Sequence, residues 1–85
     1  MYYIYVLKSE KYKKSYVGFS NNVNQRLKEH NAGKSIYTRR YKPWIVIYKE
    51  EFKTEKEAIE REKFFKTRSG RRKLKEIFNN YPIIG

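Results

Sequence analysis

The chain has 85 residues, of which 39% are hydrophobic and 18% aromatic, enough for one folded domain with little room for a second. Its net charge of +12 favours a polyanionic partner such as nucleic acid over a merely solvated surface or a membrane. The absence of cysteine excludes disulfides and thiolate metal sites, and no apolar run approaches the ~18 residues of a membrane span. We therefore expect a soluble, cytoplasmic protein.

The first elements along the chain are two short strands. Residues 2–7, YYIYVL, are β-branched and aromatic, which is typical of a buried strand. Side-chain alternation would turn Tyr3, Tyr5 and Leu7 towards one face of this strand. A polar stretch separates it from a second strand around YVGF, residues 16–19, and this arrangement favours an antiparallel hairpin.

A helix is predicted after the hairpin. Asn21 or Asn22 can cap it, it should run to about Asn31, and Gly33 is placed to end it.

This helix carries Arg26 and the chain's single histidine, His30, one turn apart. Val23, Leu27 and His30 form one stripe at helical spacing, with Arg26 beside it. The pair could present two donors to a phosphate. Equally, it could be a solvated arginine next to a histidine at the edge of the core, and the spacing alone favours this second interpretation.

The second half of the chain predicts one more strand and two helices. A basic, aromatic loop spans residues 33–43, and WIVIYKEEF, residues 44–52, is typical of a strand. A T-x-x-E capping box at residues 54–57 opens a helix predicted to run to about Thr67. Gly70 is interpreted as a break before a short basic helix, and the tail NNYPIIG has no clear period. The order β-β-α-β-α-α predicts an α+β fold with a three-stranded antiparallel sheet flanked by helices.

Glu62 is the most informative acidic residue. It shares a helix face with Ala58 and Phe65, where a carboxylate is costly unless it is paired or binds a cation. A structural ion pair or a rim position is the commoner explanation for such a residue. With no zinc pattern and no Walker loop, a hard cation held by one carboxylate and waters remains open, as suits Mg²⁺.

Two further features have open interpretations. The hydroxyls of Tyr3, Tyr5 and Tyr16 could converge, or these could be core tyrosines with a hydrated tip. Residues 61–75 hold 8 Lys or Arg and 1 Glu, which indicates either a stripe that follows phosphates or a solvated face.

In chain order, these residues resemble the GIY-YIG nuclease superfamily, especially its small single-domain members related to the nuclease domain of an excision-repair enzyme. YIY at residues 3–5 and YVG at residues 16–18 stand at the two motifs that name the family. NNVNQRLKEHNAGK is similar to the helix with the family's arginine, which falls on Arg26. EAIEREKFFKTRSGRRKLK is similar to the glutamate helix, with the glutamate at Glu62. The resemblance implies a single nuclease domain over residues 1–85.

The chain departs from the family pattern in a few places. Tyr3 replaces the glycine of the first motif, as in many small members, and Phe19 stands where the repair nucleases have a lysine. Some members also use an asparagine after the glutamate helix, for which Asn79 and Asn80 are candidates.

The resemblance implies hydrolysis of a phosphodiester with one metal ion. Glu62 would hold Mg²⁺ or Mn²⁺, Arg26 would neutralise charge on the phosphate, and Tyr5 and Tyr16 would position or activate water with help from His30. The resemblance and the charge pattern together predict a substrate-binding set, which is Tyr3, Tyr37, Arg39, Arg40, Arg68, Arg71, Arg72 and Lys73.

The implied activity is that of a DNA endonuclease. Because 85 residues leave little room for a domain that reads sequence, we expect cleavage in repair or recombination directed by branched or damaged DNA, or by a protein partner. The alternative is a non-catalytic basic module that keeps the nuclease fold and binds nucleic acid.

Overall fold

The structure, a computed structural model, describes residues 1–80, so the last five residues of the aperiodic tail lie outside the described part. The elements are β1 (Tyr2–Ser9), β2 (Ser15–Ser20), α1 (Val23–Asn31), a 3₁₀ helix (Thr38–Arg40), β3 (Trp44–Phe52), α2 (Glu55–Phe64) and α3 (Arg68–Asn79). The predicted α+β class and the order β-β-α-β-α-α are confirmed. No helix within residues 1–80 is long and apolar enough to cross a membrane.

The three strands form an antiparallel sheet in the order β2-β1-β3. β1 is the central strand, and Ile4, Val6 and Leu7 on it are fully buried because helices cover both of its faces. In the pairing of β1 with β2, Tyr5 lies opposite Gly18. The register therefore puts the two family motifs side by side.

α1 begins and ends where the sequence predicted. The Gln25 backbone N–H donates to the Asn22 side chain over 3.0 Å, which satisfies one of the free donors at the helix start. Gly33 follows the helix with φ of +86°, a left-handed conformation that glycine adopts without strain.

The face of the sheet under α1 carries the main hydrophobic cluster, in which Tyr5 and Leu7 pack with Val23 and Trp44. The indole Nε1 of Trp44 donates to the Thr38 carbonyl over 2.7 Å, which ties the 3₁₀ helix to β3. The basic loop predicted without a period is thereby held firmly beside α1.

α2 and α3 cover the opposite face. Glu50 on β3 pairs with Ile4 in register, so both side chains point to this face, where Arg61 of α2 binds Glu50. Lys8, on the same side of β1 as Ile4, donates to the Phe78 carbonyl of α3 over 2.9 Å. The sheet thus separates α1 from α3, while α2 also contacts β2, the edge strand that the Tyr5 side chain crosses at Gly18.

The predicted break at Gly70 is wrong. α2 ends at Phe64 rather than near Thr67, and Thr67 caps α3 by accepting the Gly70 N–H over 3.1 Å. Gly70 is buried inside the first turn of α3, and a Cβ there would overlap the Phe64 carbonyl oxygen. The glycine is therefore needed for close packing between two helices, and α3 is a full 12-residue helix.

Candidate active site

The Tyr5 side chain lies across the neighbouring strand at Gly18. A Cβ placed on Gly18 would be 2.6 Å from the Tyr5 hydroxyl oxygen and 3.0 Å from the Tyr16 ring. Any other residue at this position would push the phenol away, so the glycine of YVG creates the space that the tyrosine of YIY occupies. Tyr5 is consequently 1% exposed.

His30 holds the Tyr5 hydroxyl from the side of α1. Its Nε2 is 3.1 Å from the Tyr5 hydroxyl and its Nδ1 is 2.8 Å from the Thr38 hydroxyl. Burial, and to a lesser degree the charge of Arg26, lowers the pKa of His30, so at neutral pH the imidazole is uncharged. Because both ring nitrogens are occupied, His30 orients Tyr5 and does not offer a free donor to a phosphate.

Arg26 is the cation of this site. Hydrogen bonding with the Tyr5 hydroxyl raises the pKa of Arg26, with Glu29 adding to the rise, so the guanidinium is permanently charged. Its Nη1 lies 2.6 Å from Glu29 Oε1, and the side chain is 41% exposed. A cleft lined by Arg26, Glu29, His30, Lys34 and Ser35 opens beside it. A phosphate in this cleft would meet the guanidinium directly.

The ionisation of Tyr5 reflects this environment. Burial raises its pKa, as does the negative charge of Glu62, while the hydrogen bond and charge of Arg26 act in the opposite direction. Tyr5 is therefore a neutral phenol at neutral pH in the ligand-free protein. Added positive charge near the hydroxyl would favour the phenolate.

Glu62 lies on α2 between two buried residues of the same helix face, Ala58 and Phe65. Its negative charge contributes to the raised pKa of Tyr5, and the residue is half-buried. Within residues 1–80, Glu62 has no hydrogen-bond or ion-pair partner, whereas Glu29 and Glu50 are each paired with an arginine. Glu62 is therefore the carboxylate at this site that remains open to a cation.

The chemistry of Glu62 fits a divalent metal ion of the kind that GIY-YIG nucleases generally use. The described residues contain no group of three or more acidic or histidine ligands, so one carboxylate would be the main protein ligand. Mg²⁺ suits such a site because it usually keeps several waters and takes further oxygens from a phosphate.

Aromatic rings extend the site from Tyr5 to solvent. The centroid of the Tyr16 ring is 4.8 Å from that of His30 and 6.4 Å from that of Tyr5. The centroid of the Tyr37 ring is 6.4 Å from that of Tyr16. Tyr37 is 42% exposed and can contact a bound molecule. A row of neighbouring rings therefore leads from Tyr5 through Tyr16 to the exposed Tyr37.

The predicted substrate-binding residues fall into two groups. Tyr3 lies on the same side of β1 as Tyr5, and Arg39 and Arg40 are exposed on the 3₁₀ helix whose Thr38 binds His30. These three and Tyr37 are near the site. The other four, which are Arg68, Arg71, Arg72 and Lys73, lie on α3 against the opposite face of the sheet.

Sequence reasoning missed two residues that shape the site. Thr38 fixes the His30 ring, and Glu29 binds Arg26 one turn away on the same helix. The i, i+3 spacing of Arg26 and Glu29 was a usable signal. Thr38 had none, because it comes from a loop without periodicity.

YIY and YVG lie on adjacent strands of the sheet, one helix carries an arginine and another carries a glutamate. Together these features define a nuclease-type fold. The sequence model of the GIY-YIG catalytic domain matches residues 1–75, and the chain belongs to this family.

Among its relatives, the chain is 40% identical over 77 residues to a UPF0213 protein of Staphylococcus haemolyticus, which covers 89% of this chain and 93% of the relative. It is also 40% identical over 78 residues to a UPF0213 protein of Bacillus pumilus, covering 91% and 76% of the two chains.

A solved structure supports the fold. The solution NMR structure of the UPF0213 protein BH0048 from Bacillus halodurans matches with a TM-score of 0.53 and 30% sequence identity. The match covers 91% of this chain and 85% of that one.

Proposed function

We propose that this protein is a divalent-metal-dependent endonuclease that hydrolyses DNA phosphodiester bonds. The observation that carries the proposal is the convergence on one hydroxyl: His30 orients Tyr5, and the charges of Arg26 and of the unpaired Glu62 carboxylate act on its ionisation. A structural role alone does not require a permanent cation and an open carboxylate around a buried phenol.

In the proposed reaction, each side chain has a separate task. Arg26 binds the phosphate and stabilises the negative charge that develops on its oxygens. Tyr5 and Tyr16 hold the attacking water in line, and His30 with Thr38 keeps the Tyr5 hydroxyl in its orientation. Glu62 holds the divalent ion, which when bound polarises the phosphate and stabilises the leaving oxygen.

The proposed substrate is branched or damaged DNA in repair or recombination, with a protein partner as a further source of specificity. The net charge of +12 and the exposed Arg39, Arg40 and Tyr37 beside the site support contacts to phosphates and to base faces. Such contacts depend little on base sequence. DNA shape would then decide where cleavage occurs.

A second candidate function is a non-catalytic nucleic-acid-binding module. The raised pKa of Tyr5 favours it, because a neutral phenol is a poor base at neutral pH.

The deciding experiment compares two substitutions on α2. Glu62→Gln removes the open carboxylate and keeps its shape, and Glu60→Gln makes the same change at an exposed neighbouring position. Plasmid, flap and four-way-junction DNA are incubated with each variant in Mg²⁺ or Mn²⁺. We expect Glu60→Gln to cleave like the wild type and Glu62→Gln to lose cleavage while still binding DNA.

Two further measurements complete this test. Mg²⁺ should raise the melting temperature of the wild type more than that of Glu62→Gln, since an ion that binds only the folded state stabilises it by mass action. Cleavage by Glu62→Gln at the wild-type rate would remove the metal site from the proposal, and no cleavage by the wild type in any condition would favour the binding module.

A further inference from the structure

A second basic surface lies away from the candidate active site, in a groove between the β1–β2 turn and α3. The groove is lined by Lys13, Ser15, Arg71, Leu74, Lys75 and Phe78. Its three cationic side chains are exposed, and Leu74 and Phe78 are half-buried beneath them. It therefore has an apolar floor with charged walls.

The register of the sheet puts this groove on the face opposite to Tyr5. Ser15 pairs with Lys8, whose ammonium group binds the Phe78 carbonyl on α3, so both strand residues face α3. Tyr16, the next residue on β2, points to the other face and packs against His30. One strand thus contributes to two surfaces that the sheet keeps apart.

Within residues 1–80, no acidic side chain forms an ion pair with the cations of the groove. The ion pairs within residues 1–80 are Arg26 with Glu29 and Arg61 with Glu50, and both lie elsewhere. Among the described residues, no carboxylate lines the groove, while the adjoining cleft adds Lys8, Lys11 and one acid, Glu10. Like charges gathered around one groove repel each other, and a polyanion removes that cost.

We propose that this groove binds the phosphates of a second nucleic-acid arm while another arm occupies the candidate active site. The proposal rests on the proposed function for the identity of the ligand as nucleic acid. A single short duplex seated at Tyr5 would have to bend around the sheet to reach the groove, and bending DNA costs free energy. A branched substrate supplies two arms without that bending.

The proposal predicts which DNA molecules depend on the groove. The variant Lys13→Gln/Lys75→Gln removes one charge from each wall, and the control Lys53→Gln/Lys56→Gln removes two exposed lysines at the start of α2. Binding to a four-way junction and to a linear duplex of equal length is measured in EDTA over a range of salt concentrations. Cleavage does not affect this measurement.

For the junction, we expect the groove variant to bind more weakly, with the slope of log affinity against log salt flattened by up to about 1.8, or ~0.9 per phosphate contact. Its binding to the linear duplex should change little, and the control should resemble the wild type on both molecules.

Equal weakening on junction and duplex would overturn the proposal, because the groove would then belong to the footprint of a single arm. Unchanged binding to both would overturn it as well and would mark the groove as a solvated face or a site for an acidic protein. If the groove variant binds the junction more weakly but the wild type cleaves no DNA, the groove proposal stands and the nuclease proposal is refuted.

Discussion

Under α1, the buried side chains of Tyr5, His30 and Thr38 are polar and joined by hydrogen bonds, whereas Ile4 and Val6 on the other face of β1 are fully buried and apolar. A buried polar network is no more stabilising than apolar packing of the same volume, and it is costly when one partner is lost. The face under α2 and α3 therefore contributes mainly stability, while the face under α1 carries, beside its hydrophobic cluster, a polar arrangement that stability alone does not require.

The same contrast holds for the arginines of the two faces. Arg61 binds both carboxylate oxygens of Glu50 at 2.7 and 3.0 Å and covers the ring of Phe64. Arg26 binds Glu29 through one nitrogen and remains 41% exposed beside Tyr5. The first arginine is held by two hydrogen bonds to one carboxylate, while the second makes one such bond and has more donors available to a ligand.

The largest expected effect is on catalysis, and it is tested by comparing substitutions of these two arginines. Arg26→Ala should lower the turnover rate by ~10²-fold or more, because it removes a cation that acts on the transition state. Its effect on the free energy of unfolding should stay within about 0.5 kcal/mol, since its ion pair with Glu29 is partly exposed and such pairs contribute little.

Arg61→Ala is the matched variant for that measurement. It should lower the free energy of unfolding by about 1–2 kcal/mol, because it leaves the half-buried Glu50 without its cation and with only the Tyr48 hydroxyl as a donor in the described part of the chain, and it should retain turnover per folded molecule. DNA cleavage assays and thermal melts on both variants test the contrast, and retained cleavage with a lowered melting temperature for Arg26→Ala would make Arg26 structural.

The next effect concerns stability on the face of α2 and α3. Gly70→Ala should destabilise the fold by about 2 kcal/mol, because the new Cβ overlaps backbone atoms of Phe64 and Phe65 that no rotamer change can move. This strain should exceed the ~1 kcal/mol that alanine gains over glycine in helix propensity. Ser69→Ala, at an exposed neighbouring position, is the control for the chemical denaturation series. A Gly70→Ala variant as stable as the wild type would show that the helix contact is loose.

The smallest effect is a dependence of stability on pH. His30 has a lowered pKa when folded, so below about pH 6.5 the unfolded chain binds a proton that the folded chain resists. Stability from this source is complete above that pH and falls as the pH decreases, by at most ~1.4 kcal/mol per pH unit.

Because His30 is the single histidine, the variant His30→Gln isolates this contribution. The free energy of unfolding, measured by denaturation at several pH values between about 5.5 and 7, should fall with decreasing pH for the wild type. It should be nearly constant for His30→Gln, whatever the absolute stability of the variant. The same dependence on pH for wild type and variant would mean that His30 has the same pKa in the folded and unfolded states.

Local patterns in the sequence were enough for the elements themselves. Alternating β-branched and aromatic residues predict the strands, and Asn22 and Thr54 cap helices by bonds that reach only three residues along the chain. Gly70 shows the limit of this reasoning. Glycine disfavours helices on average, and only the close approach of α2 reveals why it stands inside one.

The amino-acid sequence by itself determined the charge, the α+β class, the order of the elements and the motif resemblance, because these depend on composition and on contacts between near neighbours. The tertiary structure decided that Tyr5 crosses Gly18, that Thr38 occupies the second nitrogen of His30 and that Glu62 is left unpaired among the described residues. It also divided the basic residues between two faces of one sheet. These contacts join positions far apart in the chain, so they exist only once β1 has paired with both of its neighbours.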